Sequence, residues 1–138
     1  AAHHKHSYYV IKHSDQLAGF TDREIELIAQ IARYHRKSEP KPSHPEFHEL
    51  HATGQRIVRI LAGVLRIAIA LDRTRQGGVD HLEVTITKKA ISIEVNVDPR
   101  LDYSLEQYTV AQRTGLLGRA LDRAVEVSFA TTVPGNGP

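Results

Sequence analysis

IVRILAGVLRIAIALDRTRQGGVDHLEVTITKKAISIEVNV, residues 57–97, changes its hydrophobic period once, and that change divides the fold. Up to Leu71 the apolar residues recur at helical spacing. Ile57, Leu61, Val64, Ala68 and Leu71 form one stripe, widened by Ile60, Leu65, Ile67 and Ile69. A helix this apolar is expected to be buried on most sides. Arg75-Gln76-Gly77-Gly78 breaks the pattern, and the period falls to two. Leu82, Val84 and Ile86 alternate with Glu83, Thr85 and Thr87; after Lys88-Lys89, Ile91, Ile93, Val95 and Val97 alternate with Ser92, Glu94 and Asn96. Two antiparallel strands joined by a short turn are the simplest reading.

C-terminal to this pair, Ser104-Leu105-Glu106-Gln107 reads as a capping box opening a helix to about Arg123. Gly115 and Gly118 each cost that helix about 1 kcal/mol relative to alanine, so it relies on packing. Val125, Val127 and Phe129 alternate as a third strand, and TTVPGNGP reads as a frayed tail. Strand–strand–helix–strand is a two-layer unit, with the helix covering one sheet face.

Toward the N-terminus, His6, Tyr9, Val10 and His13 share a face of a short helix over His3–His13, and the glycine of DQLAGF ends it. Thr21-Asp22-Arg23-Glu24 is a capping box. Ile25, Ile28, Ala32 and His35 follow as the inner stripe of a helix that Pro40, Pro42 and Pro45 should stop near Lys37 or Ser38. SEPKPSHPEFHEL is then a loop or ordered excursion carrying His44, His48 and His51, and Thr53 is the expected N-cap of the apolar helix. The fold class is α+β, with an expected division into residues 1–76, 77–130 and a flexible tail at 131–138.

Composition narrows the chemistry. The 138 residues include no cysteine, methionine or tryptophan, which removes disulfides and thiolate ligands or nucleophiles. The apolar run is interrupted by Arg59 and Arg66 and is too short to span a bilayer. No secretory leader opens the chain, so a cytoplasmic location is expected; AAHHKHSYYV, without an initiator methionine, reads as the start of an excised or processed segment. Formal charge is only +2, but between Gln30 and Pro45 the cations Arg33, Arg36, Lys37 and Lys41 face the single Glu39. Arginine forks and a lysine point charge suit phosphate oxygens, whereas a solvated helix end explains Arg36 and Lys37 equally well. His3, His4 and His6 with His35 form a cluster for an anion, a structural role or a metal, and Asp72 is expected to be partly buried beside an arginine. No P-loop, dinucleotide-binding or nucleophile-elbow motif occurs, and the tyrosines pack more simply than they stack on bases.

HHKHSYYVI, LAGFTDREIELIA, RYHRKSEPKPSHPEF, LRIAIALDR and LEQYTVAQRTGLLGRAL together resemble the C-terminal region of the exopolyphosphatase and guanosine pentaphosphate phosphohydrolase (Ppx/GppA) family, from about His3 to Phe129. The resemblance implies part of an HD-like helical bundle followed by a small β-β-α-β domain, joined in the parent to N-terminal actin-like domains that hold the catalytic carboxylates and a divalent metal such as Mg. It implies no catalytic residue, cofactor or metal in this chain. Arg33, Arg36 and Lys37, then His6, His35, Lys41 and Arg73, would bind inorganic polyphosphate or another phosphate-rich anion, and the segment would support homo-oligomer assembly. Nucleic acid and membrane are not expected partners. The HD metal site needs a His-Asp pair that this sequence lacks, and the later aspartate of relatives aligns with Ile69. The alternatives are a purely structural interaction module and a degenerate HD-type phosphohydrolase.

Overall fold

A computed structural model describes residues 3–131, with side-chain surroundings from Lys5 onward. Residues 132–138, read above as tail, and the side chains of His3 and His4 lie outside the described residues. The chain divides after Arg66 into two compact units. The architecture is α+β, as the sequence predicts.

The first unit contains α1 (His3–Lys12), α2 (Asp22–Arg33), α3 (Pro45–His48) and the larger part of α4 (Ala52–Leu71). The Thr21 capping box forms: Thr21 Oγ1 accepts from Glu24 N at 3.1 Å, and Glu24 Oε1 accepts from Thr21 N at 2.9 Å. The buried stripe of α2 is Ala29, Gln30 and Arg33, displaced from the predicted Ile25, Ile28, Ala32 and His35. Among the described side chains of α1, Tyr8 is buried, while Tyr9 and Val10 are exposed. On α4 the predicted inner positions Leu61 and Val64 are exposed, and Val58, Ala62 and Arg66 are buried instead. On a helix apolar all round, apolarity cannot select the inner face. The small Ala62 and the hydrogen-bonding Arg66 select it here. Thr53 is not the cap, because α4 already includes Ala52.

The second unit holds β1 (Val79–Ile86), β2 (Ala90–Val97), α5 (Ser104–Ala111), α6 (Gly115–Leu121) and β3 (Ala124–Thr131) after the end of α4. Sheet order is β1-β2-β3, antiparallel then parallel. A parallel neighbour requires a crossover, which α5 and α6 provide. Ile91, Ile93, Val95 and Val97 are buried on β2. Their partners Ile86, Val84 and Leu82 on β1 remain exposed, Ile86 at 64%.

The predicted single helix is two, interrupted at 112–114. Its expected capping box does not form. Asp102 Oδ1 instead accepts from Ser104 N at 2.9 Å, and Glu106 turns inward. At the end of α6 Asp122 is left-handed at φ 51°, and Arg123 N reaches Gly118 O at 3.0 Å. A Cβ on Gly118 would lie 2.9 Å from the Arg123 oxygen, so this tight ending requires glycine.

Candidate functional site

The cationic segment begins where α2 ends. A helix running on to Ser38 would bond Ser38 N to Tyr34 O. Instead Ser38 N donates to Arg36 O at 2.7 Å, and Lys37 adopts φ 57°. The freed carbonyls go to Arg66, whose Nε donates to Tyr34 O at 2.8 Å and Nη2 to Ser38 O at 2.5 Å. Arg66 is 8% exposed. A buried cation bonded to the Tyr34 carbonyl satisfies this helix end and complements the negative end of the helix dipole. The predicted stop near Lys37 or Ser38 therefore falls earlier, and the prolines follow it.

A layer of rings supports this turn. Tyr34 is fully buried; its hydroxyl and His44 Nδ1 share a 2.6 Å hydrogen bond, with the rings stacked at 5.6 Å. Phe47 meets Tyr34 edge-on at 6.1 Å, and the Arg59 guanidinium lies 5.4 Å above Phe47. Burial pushes the Tyr34 hydroxyl up to about 12. α3 orients this layer, with Pro45 at its first position, where a missing N–H costs nothing, and Phe47 buried beneath it.

The named cations separate into two kinds. Arg33 is 2% exposed, lies 5.0 Å from the Tyr34 ring centre and holds Glu46 Oε2 at 3.3 Å. Its guanidinium is occupied by the protein. Arg36, Lys37 and Lys41 are exposed along the turn and the chain following it. His35 is half-buried, with Nδ1 against Ala32 O. His6 is exposed on α1, and Arg73 is exposed in the second unit, in the turn after α4. The structure thus brings Arg33 to His35, Arg36, Lys37 and Lys41 into one segment.

His44 registers the local field. Burial lowers its pKa first, and Arg33, Lys41 and Lys5 lower it further, against an opposing effect from Glu46. Positive charge therefore gathers from α1, α2 and the loop. Beneath it runs a polar network that the sequence reading missed. Glu26 accepts from Tyr8 at 2.8 Å, Gln30 at 2.9 Å and Lys12 at 2.7 Å, and Gln30 Nε2 also donates to Glu46 O at 2.9 Å. Burial raises the Glu26 pKa, but these bonds jointly hold it below the ordinary range. A glutamate and glutamine one helical turn apart on α2 were the only sequence signal for it.

Among the described residues no three of His, Cys, Asp or Glu converge to hold a metal ion. Ile69 offers no ligand atom. Asp72 is exposed rather than partly buried, since α4 has ended at Leu71 and its carboxylate meets solvent. The described residues do not assemble an HD-type metal site.

Residues 1–113 match the Ppx/GppA phosphatase family at its domain III. The chain belongs to the Ppx/GppA phosphatase family. The match runs through the cationic turn, the apolar helix, the first two strands and α5. In this Ppx/GppA domain Arg36, Lys37 and Lys41 are exposed on a pinned turn, and among the described residues no metal-holding cluster accompanies them. No described helix is long and apolar enough to cross a membrane.

Proposed function

We propose that this domain III segment is a non-catalytic part of a cytoplasmic exopolyphosphatase or guanosine pentaphosphate phosphohydrolase, which holds the polyphosphate chain while other domains cleave its terminal phosphoanhydride bond. The observation that carries the reading is the exposed trio Arg36, Lys37 and Lys41 on a turn fixed from below by Arg66. A fixed turn loses less entropy on binding than a mobile one, so modest exposed contacts can add along a repeating polyanion. Repeating phosphates favour chain length over base identity. A divalent cation such as Mg would serve the hydrolytic chemistry in actin-like domains outside this segment.

A second role, in domain or dimer assembly, is favoured by a separate observation. Leu82, Val84 and Ile86 form an exposed apolar row on β1, and Leu61 and Val64 form an exposed apolar strip on α4. Exposed apolar rows of this kind suit a macromolecular neighbour.

Calorimetric titration with polyphosphates of several lengths, at low and high salt, tests the first role. Affinity should rise with length, fall with salt and be lost in the Arg36→Ala/Lys37→Ala/Lys41→Ala chain. Equal affinity in the folded triple variant would remove the turn from substrate holding and leave assembly as the role.

A further inference from the structure

Glu106 is fully buried at the start of α5. Its Oε2 accepts from Thr74 N at 2.7 Å, while its Oε1 has no hydrogen-bond partner among the described residues. Neither protonation state relieves this. An ionised carboxylate is a buried charge with one oxygen unmet, and a protonated one has either a hydroxyl or an oxygen unmatched. The side chain lines a pocket of ≈ 360 Å³ formed entirely within the second unit. Ala68, Leu71, Leu82 and Tyr103 supply apolar wall, and Asp72 contributes a second carboxylate.

Carboxylates lie around Tyr103, which lines the pocket. Burial raises the pKa of the Tyr103 hydroxyl; a bond to the Gly78 main chain opposes this, and Glu106, Asp98 and Asp72 push it upward again. Gly78 permits that close approach, since a Cβ there would collide with the Tyr103 ring and with Leu101. The space exceeds the roughly 30 Å³ share of one water molecule, so a ligand with a body fits.

The donor set selects among cations. A hard divalent ion takes six or more oxygen ligands, and no cluster of three acidic or imidazole side chains exists among the described residues. A guanidinium prefers both oxygens of a carboxylate, and Thr74 already holds one. A primary ammonium needs one strong acceptor, directs its other protons to Asp72 or water, and lays its methylene stem on apolar wall. We propose that the pocket beside Glu106 binds an alkylammonium group, with Asp72 as the exposed anion, Ala68, Leu71 and Leu82 around the stem, and Glu106 Oε1, which is closed to solvent, turning toward the ammonium as its acceptor.

The same group can arrive on a free amine or on a lysine of another chain. Amide-resolved NMR of the full chain tests both, because the Thr74 N–H is bonded to the proposed acceptor's other oxygen. Butylammonium should shift the Thr74 and Gly78 amides saturably. Butan-1-ol, with the same stem and no charge, should bind about tenfold or more weaker, as should butylammonium to Glu106→Gln. Asp72→Asn, an exposed change that leaves the buried bonds intact, should also weaken binding if Glu106→Gln fails to fold. Blocked N-acetyl-lysine-N-methylamide binding as well as butylammonium would assign the group to a protein lysine, and binding by butylammonium alone would assign it to a free amine. No shift at Thr74 in the folded wild-type chain, or equal shifts with butan-1-ol, would overturn the proposal.

Discussion

Arg66 donates to the main-chain oxygen of Tyr34 at 2.8 Å, so a residue on the buried side of α4 sets where α2 ends. The same guanidinium holds Ser38 O, leaving one helix-end carbonyl and one carbonyl beyond the turn dependent on a single side chain. Arg66→Ala strands both. Unfolding in urea should show a loss of about 3 kcal/mol, from unmet buried acceptors and a cavity together. Polyphosphate affinity should fall as well, although Arg66 lies beneath the turn. An unchanged urea midpoint would refute the pinning.

Arg33 and Arg36 stand three residues apart and should respond oppositely to substitution. Arg33→Ala removes a buried guanidinium from Glu46 and from the Tyr34 ring, at about 2 kcal/mol of stability. Arg36→Ala, on the exposed side, should change stability by less than about 0.5 kcal/mol and weaken polyanion binding. Paired denaturation and titration of the two variants separate the roles. Reversal of the pattern would contradict the burial of Arg33.

Acid should weaken the first unit through His44. Its folded pKa is below the ordinary 6.5, so the neutral ring is favoured in the folded state. The corresponding stability is present above pH 6.5 and is lost as pH falls through the folded pKa. His44→Gln should reduce this acid sensitivity, measured as urea midpoint against pH. Polyphosphate near Lys5, Lys41 and His44 would offset the cations and raise the His44 pKa, observable in the ring proton's NMR titration. A His44 that titrates above its unfolded value without ligand would refute the described field.

The two glycines of α6 should diverge. Gly118→Ala places a Cβ 2.9 Å from the main-chain oxygen of Arg123, and backbone has little room to yield. It should cost about 1–2 kcal/mol. Gly115→Ala meets only the mobile end of Arg119, at 2.8 Å, and should gain up to about 1 kcal/mol of helix propensity. Thermal melts of both decide it.

The period change after Leu71, the Thr21 capping box and the two strands of the hairpin were legible because each depends on neighbouring residues. The α+β class followed. Three features were not legible, since distant groups decide them. Arg66 ends α2 from another helix; Glu106 bonds the main chain of Thr74, 32 residues away; and the break at 112–114 replaces a continuous helix. The cationic segment was readable as charge, but the diversion of Arg33 to Glu46 and Tyr34 depends on α3, a helix of four residues hidden in a proline-rich stretch. The Gln30–Glu26–Tyr8 bonds were not legible because they join α2 to a tyrosine 18 residues away and to a main-chain oxygen of α3.

The mixed sheet also bears on how the second unit assembles. β1 and β2 are joined by a short turn, so their pairing closes a small loop and belongs among fast local events. β3 must bring Ala124 beside Ala90 and Phe129 beside Val95, with α5 and α6 intervening. Loop-closure entropy opposes that step until the contacts it makes can compensate. Until β3 arrives, the hydrogen-bonding edge of β2 is open, and the row Ile91, Ile93 and Val95 lacks its neighbours Val125, Val127 and Phe129. The interval between hairpin closure and β3 addition is therefore when this chain is most prone to pair with the wrong strand.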